Sequence, residues 1–487
     1  MKLDFFEKIS NYLPEVEEPT KPPSFKEKIL WTMIILIIFF TMYHIIPFGA
    51  VARETRTLEF LQTVLASKLG TLLTIGIGPI VMASIFLQLF IGAKMIEVDF
   101  SNPRDKALFS AAQKTLAIIL AFVEAFLFVL PGFTSPAGYI GPDIGLGLPV
   151  WFLAFIVTFQ IAFASIILIF FDEITTKYGI GSGISLFIAA GVSLAIVQGG
   201  IMMIIGGEEL GYPTVSSLLK NPTATTPASI LISIAPIIFT LLIAAFCIYM
   251  ENVVVEIPIS FDRFRGFGSR FPIKLLYVSV LPVILTSALL VSINNLGRSL
   301  LSGVSCNVEK PELIHYIGCT EGGYIRDGFL YLFTSFPNPL FVGGYEGYLA
   351  IMSESTPIFR IPQFLHIIFY SIIYVFLCIV FGKFWVEASG MGPADIADQF
   401  TKFGLQIPGF RRDPRVIRQM LEKYMNVIII LGSAIVGLIA IFADLTGALG
   451  GGTGILLTVS IIHKFYDDLE REKVFEAYPG IKKILGG

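Results

Sequence analysis

Residues 181–186 read Gly181-Ser182-Gly183-Ile184-Ser185-Leu186, and residues 452–457 read Gly452-Thr453-Gly454-Ile455-Leu456-Leu457. Both fit the pattern G-[ST]-G-I-x-L. The first opens an apolar block at 183–205, and the second sits early in a block at 446–463. Eight further blocks lie near 30–47, 71–92, 115–131, 149–171, 229–249, 273–293, 364–382 and 424–443. A hydrocarbon core about 30 Å thick takes roughly 20 helical residues, so the blocks predict ten membrane-spanning helices. Only Asp444 and its neighbours divide the last two blocks, which leaves nine as the rival count. With ten, the two motifs occupy corresponding places in two sets of five. An odd number per set forces the sets into opposite orientations, the inverted repeat of many transport proteins. Small residues also recur in membrane helices because they let neighbours pack closely, so a six-residue echo has a second explanation.

Composition points the same way. Of 487 residues, 55% are hydrophobic and 15% charged, and the mean hydropathy is +0.78. A soluble chain of this length needs more charge to cover its surface, and intrinsic disorder is excluded by the apolar content. Forty-four Phe beside four His weigh against a basic nucleic-acid binder and a histidine-rich metal enzyme. Nothing points to DNA as a partner, and the net charge of −3 says little about others. With the N-terminus placed in the cytoplasm, 26 of the 34 Lys and Arg fall on the inner side. The other eight, Arg53, Arg56, Lys68, Lys220, Arg298, Lys310, Arg326 and Arg360, fall outside. That is a strong positive-inside bias. The expectation is an all-α, polytopic membrane protein with ten transmembrane helices in two inverted five-helix halves and both termini cytoplasmic.

The predicted divisions follow the blocks. Residues 1–29 are a cytoplasmic amphipathic helix and linker, with Phe5, Ile9 and Tyr12 on one stripe of residues 3–13. Pro14, Pro19, Pro22 and Pro23 end that helix. Its charged region is too long for a cleavable signal. The N-terminal half covers 30–205, a connection covers 206–227, the C-terminal half covers 228–465, and 466–487 form a cytoplasmic tail.

Enzyme signals are missing: there is no phosphate loop, no H-E-x-x-H and no G-x-S-x-G. Glu124 is the clear ionisable residue inside a span. An intramembrane carboxylate is a functional hypothesis by default, but one without a basic partner does not make a proton relay. The pattern reads as a passive conduit, with no cofactor. Cys247 and Cys378 fall within spans and read as packing residues. Cys306 and Cys319 lie in a long outer segment near 296–363, where a disulfide is permitted and free thiols are the alternative.

Two local features refine this. Residues 57–68, TLEFLQTVLASK, place Leu58, Leu61 and Leu65 on one face with Phe60 and Val64 nearby. That helix is too short to span, and it runs into Gly70, Gly76, Gly78 and Pro79. A short helix before a Gly/Pro-broken span is the pattern of a discontinuous membrane helix, and an interfacial helix resting on lipid is the alternative. Second, the inner loops are basic. Residues 251–272 carry Arg263, Arg265 and Arg270, and 383–423 carry seven basic residues, including Arg411, Arg412, Arg415 and Arg418. A loop of some 40 residues exceeds what joining two helices requires, and Arg clusters grip phosphate backbones. A docking platform for an RNA-rich or acidic partner is expected.

The stretches PEVEEPTKPPSFKEKILWT at 14–32, GTLLTIGIGPIVMASIFLQL at 70–89, DEITTKYGIGSGISLFIAAGVS at 172–193, RFPIKLLYVSVLPVIL at 270–285 and GALGGGTGILLTVSI at 447–461 carry a resemblance. The chain resembles the SecY family of protein-conducting channels in its archaeal form, related to the eukaryotic endoplasmic-reticulum translocon. The resemblance covers nearly the whole chain, though the outer segment 298–360 is longer than the family pattern. It implies a pore ring of Ile77, Val81, Ile184, Ile188, Ile284 and Leu457. It implies a plug at 57–68, comprising Leu58, Glu59, Phe60, Leu61, Val64 and Leu65. It implies a lateral gate between spans 2 and 7, with Gln113 on span 3 at a family gate position. The family's Asn on span 7 is Ser292 here, with Asn294 close by, which leaves the pairing open. Arg263, Arg265, Arg411 and Arg412 would dock the ribosome. Small SecE-like and SecBeta-like membrane subunits, nascent polypeptides with their signal sequences, and membrane lipid are the other implied partners, in the cell membrane. The alternative is a secondary solute transporter built on inverted repeats.

Overall fold

The computed structural model describes residues 14–21, 23–52, 66–92, 95–96, 103–134, 140–143, 145, 147–205, 227–261, 268–276, 278, 281–301, 304–306, 312–321, 324–336, 344–388, 391–394, 396–397, 405–406 and 414–477. Each of the ten apolar blocks contains one helix. These are α1 (Phe25–His44), α2 (Gly78–Gly92), α3 (Pro103–Thr134), α4 (Val150–Tyr178) and α5 (Gly183–Ile205), then α6 (Pro227–Glu251), α7 (Leu281–Leu300), α8 (Gln363–Ala388), α9 (Pro414–Leu445) and α10 (Gly451–Ala477). The count of nine fails because α9 stops at Leu445, and Gly447, Gly450 and Gly451, the first residue of α10, all take positive φ. Chains of L-residues avoid that region, so a helix ends where glycines adopt it. Stretches of α3, α4, α5, α6, α8 and α9 are each long and apolar enough to cross a bilayer by themselves. Side chains such as Ile37, Trp151, Phe155, Ile372 and Phe376 are exposed, as lipid-facing surface should be. The protein is an all-α, polytopic membrane protein.

Two compact units divide the chain. The first is Met1–Leu194 with Leu457–Gly487, and the second is Ala195–Leu456. In the first, α3 and α4 pack through small residues. Ala117, Ala121 and Ala125 are fully buried at a four-residue spacing, and Ala121 and Ala125 pack with Val157, Ile161 and Ala162 of α4. No hydrophobic force drives helices together in lipid, so close van der Waals approach must do so, and alanine permits it. A short ladder, β1 (Ala50–Ala52) with β2 (Ile140–Pro142), ties the loop after α1 to the loop after α3. At the opposite end of α4, residues 14–17 are strapped down by backbone contacts. Lys114 Nζ donates to Pro14 O at 2.7 Å and pairs with Glu173, Glu173 accepts from Val16 N, and Tyr178 donates to Glu17 O. The predicted amphipathic helix at 3–13 and the connection at 206–226 lie outside the described residues.

In the second unit α8 crosses α9 at small residues. Gly437 lies against Cys378, and Gly382 lies against Ser433. The core there is Leu421, Met425, Ile428 and Ile429 with Val278 and Val386. Beyond the membrane helices, β3 (Val254–Phe261), β4 (Gly268–Lys274) and β7 (Leu405–Gln406) form a sheet ordered β4-β3-β7. On the other face, the segment after α7 carries a short helix, Leu313–Ile317, a hairpin of β5 (Cys319–Glu321) with β6 (Tyr324–Asp327), and the helix Gly344–Ser353. Cys306 and Cys319 are joined by a disulfide. Closing a loop of 13 residues contributes about 3 kcal/mol. Burial pushes the Tyr345 hydroxyl up to about 12. It therefore stays protonated at any physiological pH and donates to Thr446 O at 2.5 Å, in the turn before α10.

Candidate functional site

The second span is helical only from Gly78, so it has 15 helical residues, about 22 Å, too little to cross. The preceding stretch, Ala66 to Ile77, is irregular yet buried: Ala66, Leu73, Thr74, Ile75 and Ile77 are nearly inaccessible. Irregular backbone at membrane depth survives only where protein satisfies its polar groups. Here Lys68 N donates to Leu73 O, Leu72 N to Ile45 O at 2.8 Å, and Gly78 N to Ile75 O, while Ser165 on α4 donates to Gly76 O at 2.9 Å. Gly70 and Gly76 supply the positive φ values, 84° and 51°. The break expected from the glycines is therefore present in the described part of the second span; the short helix expected before it lies outside the described residues. Ile77 ends the irregular stretch, and Val81 N bonds back to its carbonyl, so the two candidate pore residues share one helical face.

Ile184 and Ile188 sit in the first two turns of α5. Asp172, on α4, holds the start of that helix: its Oδ1 accepts from Ile184 N at 2.9 Å and from the Ser182 hydroxyl at 3.2 Å. Gly183 permits this approach, because a Cβ there would lie 2.6 Å from Asp172 Cα. Further along α5, Gly191 lies against Ala66, the position of its missing Cβ 3.5 Å from the Ala66 Cα. Ala66 belongs to the predicted plug segment, of which only Ala66–Lys68 is described. These three residues are not helical, contrary to the predicted run to 68, because Ala66 takes a left-handed conformation, φ 47°, which ends a helix. Leu58, Glu59, Phe60, Leu61, Val64 and Leu65 lie outside the described residues.

The second copy of the motif is held in the same manner. Asp444, on α9, accepts from Gly452 N at 2.8 Å. A Cβ on Gly452 would lie 2.2 Å from Ala440 O, so only glycine fits. Leu449 N, in the turn before, donates to Thr240 on α6 at 2.8 Å. Leu457 follows on α10 and is buried, as are Ile77 and Ile188, whereas Val81, Ile184 and Ile284 are half-buried. Sequence reading missed both aspartates as structural acceptors, although each precedes its motif by a similar interval, nine residues to Gly181 and eight to Gly452.

Gln113 on α3 is half-buried. On α7, Asn294 has a buried Oδ1 with no hydrogen-bond partner among the described residues, and Ser292 lies within the same helix. Arg263, Arg265, Arg411 and Arg412 lie outside the described residues. Their flanking strands, however, are joined. β3 pairs with β4 over Val254–Ser260 and with β7 through Ser260↔Gln406 and Phe261↔Leu405. The two basic inner loops thus share one sheet. No cluster of metal-ligating side chains occurs among the described residues.

A family model, SecY, matches residues 71–466. The chain belongs to the SecY family. Among curated relatives of this SecY-family chain, the protein translocase subunit SecY of Methanocaldococcus jannaschii is 41% identical over 97% of both chains. A solved protein-conducting channel is 41% identical, covers 98% of this chain and 99% of its own, and superposes with a TM-score of 0.73. Sec61 in the canine ribosome–channel complex from the endoplasmic reticulum is 40% identical, with coverage of 98% and 99% and a TM-score of 0.71.

Proposed function

We infer that this chain is the central, pore-forming subunit of a Sec translocon, conducting unfolded polypeptides across the membrane and releasing hydrophobic segments sideways into lipid. The observation that carries this reading is the placing of apolar side chains at helix starts: Ile77 and Val81 follow a buried irregular stretch, and Ile184 and Ile188 follow a turn anchored by Asp172. With Ile284 and Leu457 they form the neck. A narrow apolar neck blocks ions by dewetting, and branched aliphatic chains fit loosely round a passing polypeptide without trapping any one residue. The plug, Leu58 to Leu65, closes the outer funnel; the contact of Ala66 with Gly191, three residues past Ile188, supports this.

The lateral gate opens between α2 and α7, with Gln113, Ser292 and Asn294 as its polar members; the orphaned Asn294 oxygen supports a gate that exchanges partners. Signal sequences and spans leave through it because each Leu, Ile, Phe or Val gains about 0.3 to 0.6 kcal/mol at mid-membrane. The two five-helix halves, 30–205 and 228–465, hinge at 206–227. In this reading the channel uses no catalytic residue and no cofactor of its own, and energy comes from a partner, the translating ribosome, docked by Arg263, Arg265, Arg411 and Arg412. SecE-like and SecBeta-like subunits flank the channel in the cell membrane, with both termini cytoplasmic.

The test places cysteine at Ile77 and along a stalled nascent chain. Disulfide adducts are expected over the length of chain inside the membrane; none along a well-defined translocating chain would remove Ile77 from the neck. Replacing Arg411 and Arg412 with Glu should weaken ribosome binding at moderate salt, read by co-sedimentation.

A further inference from the structure

The short helix Leu313–Ile317 in the segment after α7 is inside out. Its one imidazole, His315, is buried, with Nδ1 3.1 Å from Glu312 N. Its apolar side chains point outward: Leu313 is 84% exposed and Ile317 50%, with Ile314 and Tyr316 also exposed. A water-facing helix shows the reverse. The arrangement is not loose. Gly318 packs on Leu301, one residue past the end of α7, and the disulfide closes at the next residue, Cys319. Asp327 is buried, and its carboxylate accepts from Gly328 N at 2.7 Å and from Ile358 and Phe359 N at 2.5 and 2.9 Å. These bonds fix the Phe359 ring against Tyr316, centroids 5.6 Å apart, and Phe359 is exposed.

Two features on the page say what covers this face. First, it is continuous with membrane helices at both ends. Leu301 anchors it to the end of α7, and the hairpin bearing Phe359 runs straight into α8, where Phe364, Ile368, Ile372 and Phe376 form an exposed stripe at four-residue spacing. Second, exposed arginines flank it. Arg360 adjoins Phe359 at a left-handed turn position, φ 51°, and Arg326 adjoins Asp327. Aliphatic and aromatic side chains beside arginine, at the end of a span, match the lipid headgroup boundary: apolar groups enter the acyl region and guanidinium groups meet phosphate. We propose that this outer face is a rigid interfacial anchor, seated in the outer leaflet on phospholipid and fixing the depth of the outer ends of α7 and α8.

The experiment uses the full chain with its companion subunits in vesicles of phosphatidylcholine and phosphatidylglycerol. Trp31, Trp151 and Trp385 are replaced with Phe, and Leu313→Trp supplies the single fluorophore, with Glu321→Trp as the control. Leu313→Trp should emit to the blue and be quenched several-fold more by lipids brominated near the headgroup than Glu321→Trp. Red emission quenched by aqueous acrylamide would overturn the proposal in favour of a water-exposed face. Blue emission quenched by neither agent would overturn it in favour of a protein partner. A second measurement needs no variant: a phospholipid with a photoreactive group near its headgroup should label the peptide containing 313–317 on the unaltered chain, and absence of label there beside label on α8 also overturns it. Neither readout depends on the neck or the gate.

Discussion

The starts of α5 and α10 solve one problem with different parts. Each helix must begin close to the helix before it, and in each an aspartate from that helix accepts the backbone N–H of the second helical residue. The α5 start uses one left-handed glycine, Gly181, and adds a bond from Ser182; the α10 start uses Gly447, Gly450 and Gly451, and adds a bond from Leu449 N to Thr240. The motif is displaced as well. It starts two residues before α5 but one residue after the start of α10, a shift of nearly one turn. A shared sequence echo therefore does not put equivalent side chains at equivalent depth; the aspartate, not the motif, marks where each helix begins.

The sharpest way to break this comparison is to add one methyl group. Gly452→Ala puts a Cβ among three backbone atoms of Ala440 within 2.7 Å, whereas Gly183→Ala meets the Asp172 backbone with its closest atom at 2.6 Å. Overpacking against backbone costs about 3 kcal/mol or more, and the larger loss is expected for Gly452. The buried thiols of Cys247 and Cys378 give the readout, since a thiol-reactive dye reports their exposure on heating. Next come the carboxylates. Asp172→Ala, which removes the acceptor for Ile184 N, the Ser182 hydroxyl and Gly183 N, should cost about 2 kcal/mol, and Asp444→Ala, which removes the acceptor for Gly452 N, about 1 kcal/mol; equal losses would mean that the additional donors contribute nothing. The smallest effect separates the hydroxyls. Ser182→Ala should cost about 0.5–1 kcal/mol, while Thr453→Val should leave the midpoint unchanged, because Thr453 makes no bond to Asp444 among the described residues. A loss at Thr453 would restore equivalence to the motif.

Much of the fold was readable because lipid imposes a length: each apolar block holds one helix, though the second is helical only from Gly78. The ambiguity between nine and ten arose because five residues, Thr446 to Gly450, suffice to turn the chain, too few to interrupt a hydropathy average. Asp172 and Asp444 escaped notice since a charge at the edge of a block reads as a boundary. The pairing of β3 with β7 had no signal, as two residues carry no periodicity. The helix Leu313–Ile317 misleads for a different reason: its pattern is amphipathic, but nothing in five residues says which side faces in.

The pairing of β3 with β7 has a mechanical consequence. β3 descends from α6, and β4 climbs towards α7. Among the described residues, β7 meets β3 through two residue pairs. A tug on the loop bearing β7 reaches the roots of α6 and α7 together, up to the strength of that brief ladder. Beyond that strength the ladder unzips, and the two loops part. Below it, the join makes the two loops one mechanical piece, so a load on either is shared between neighbouring helices.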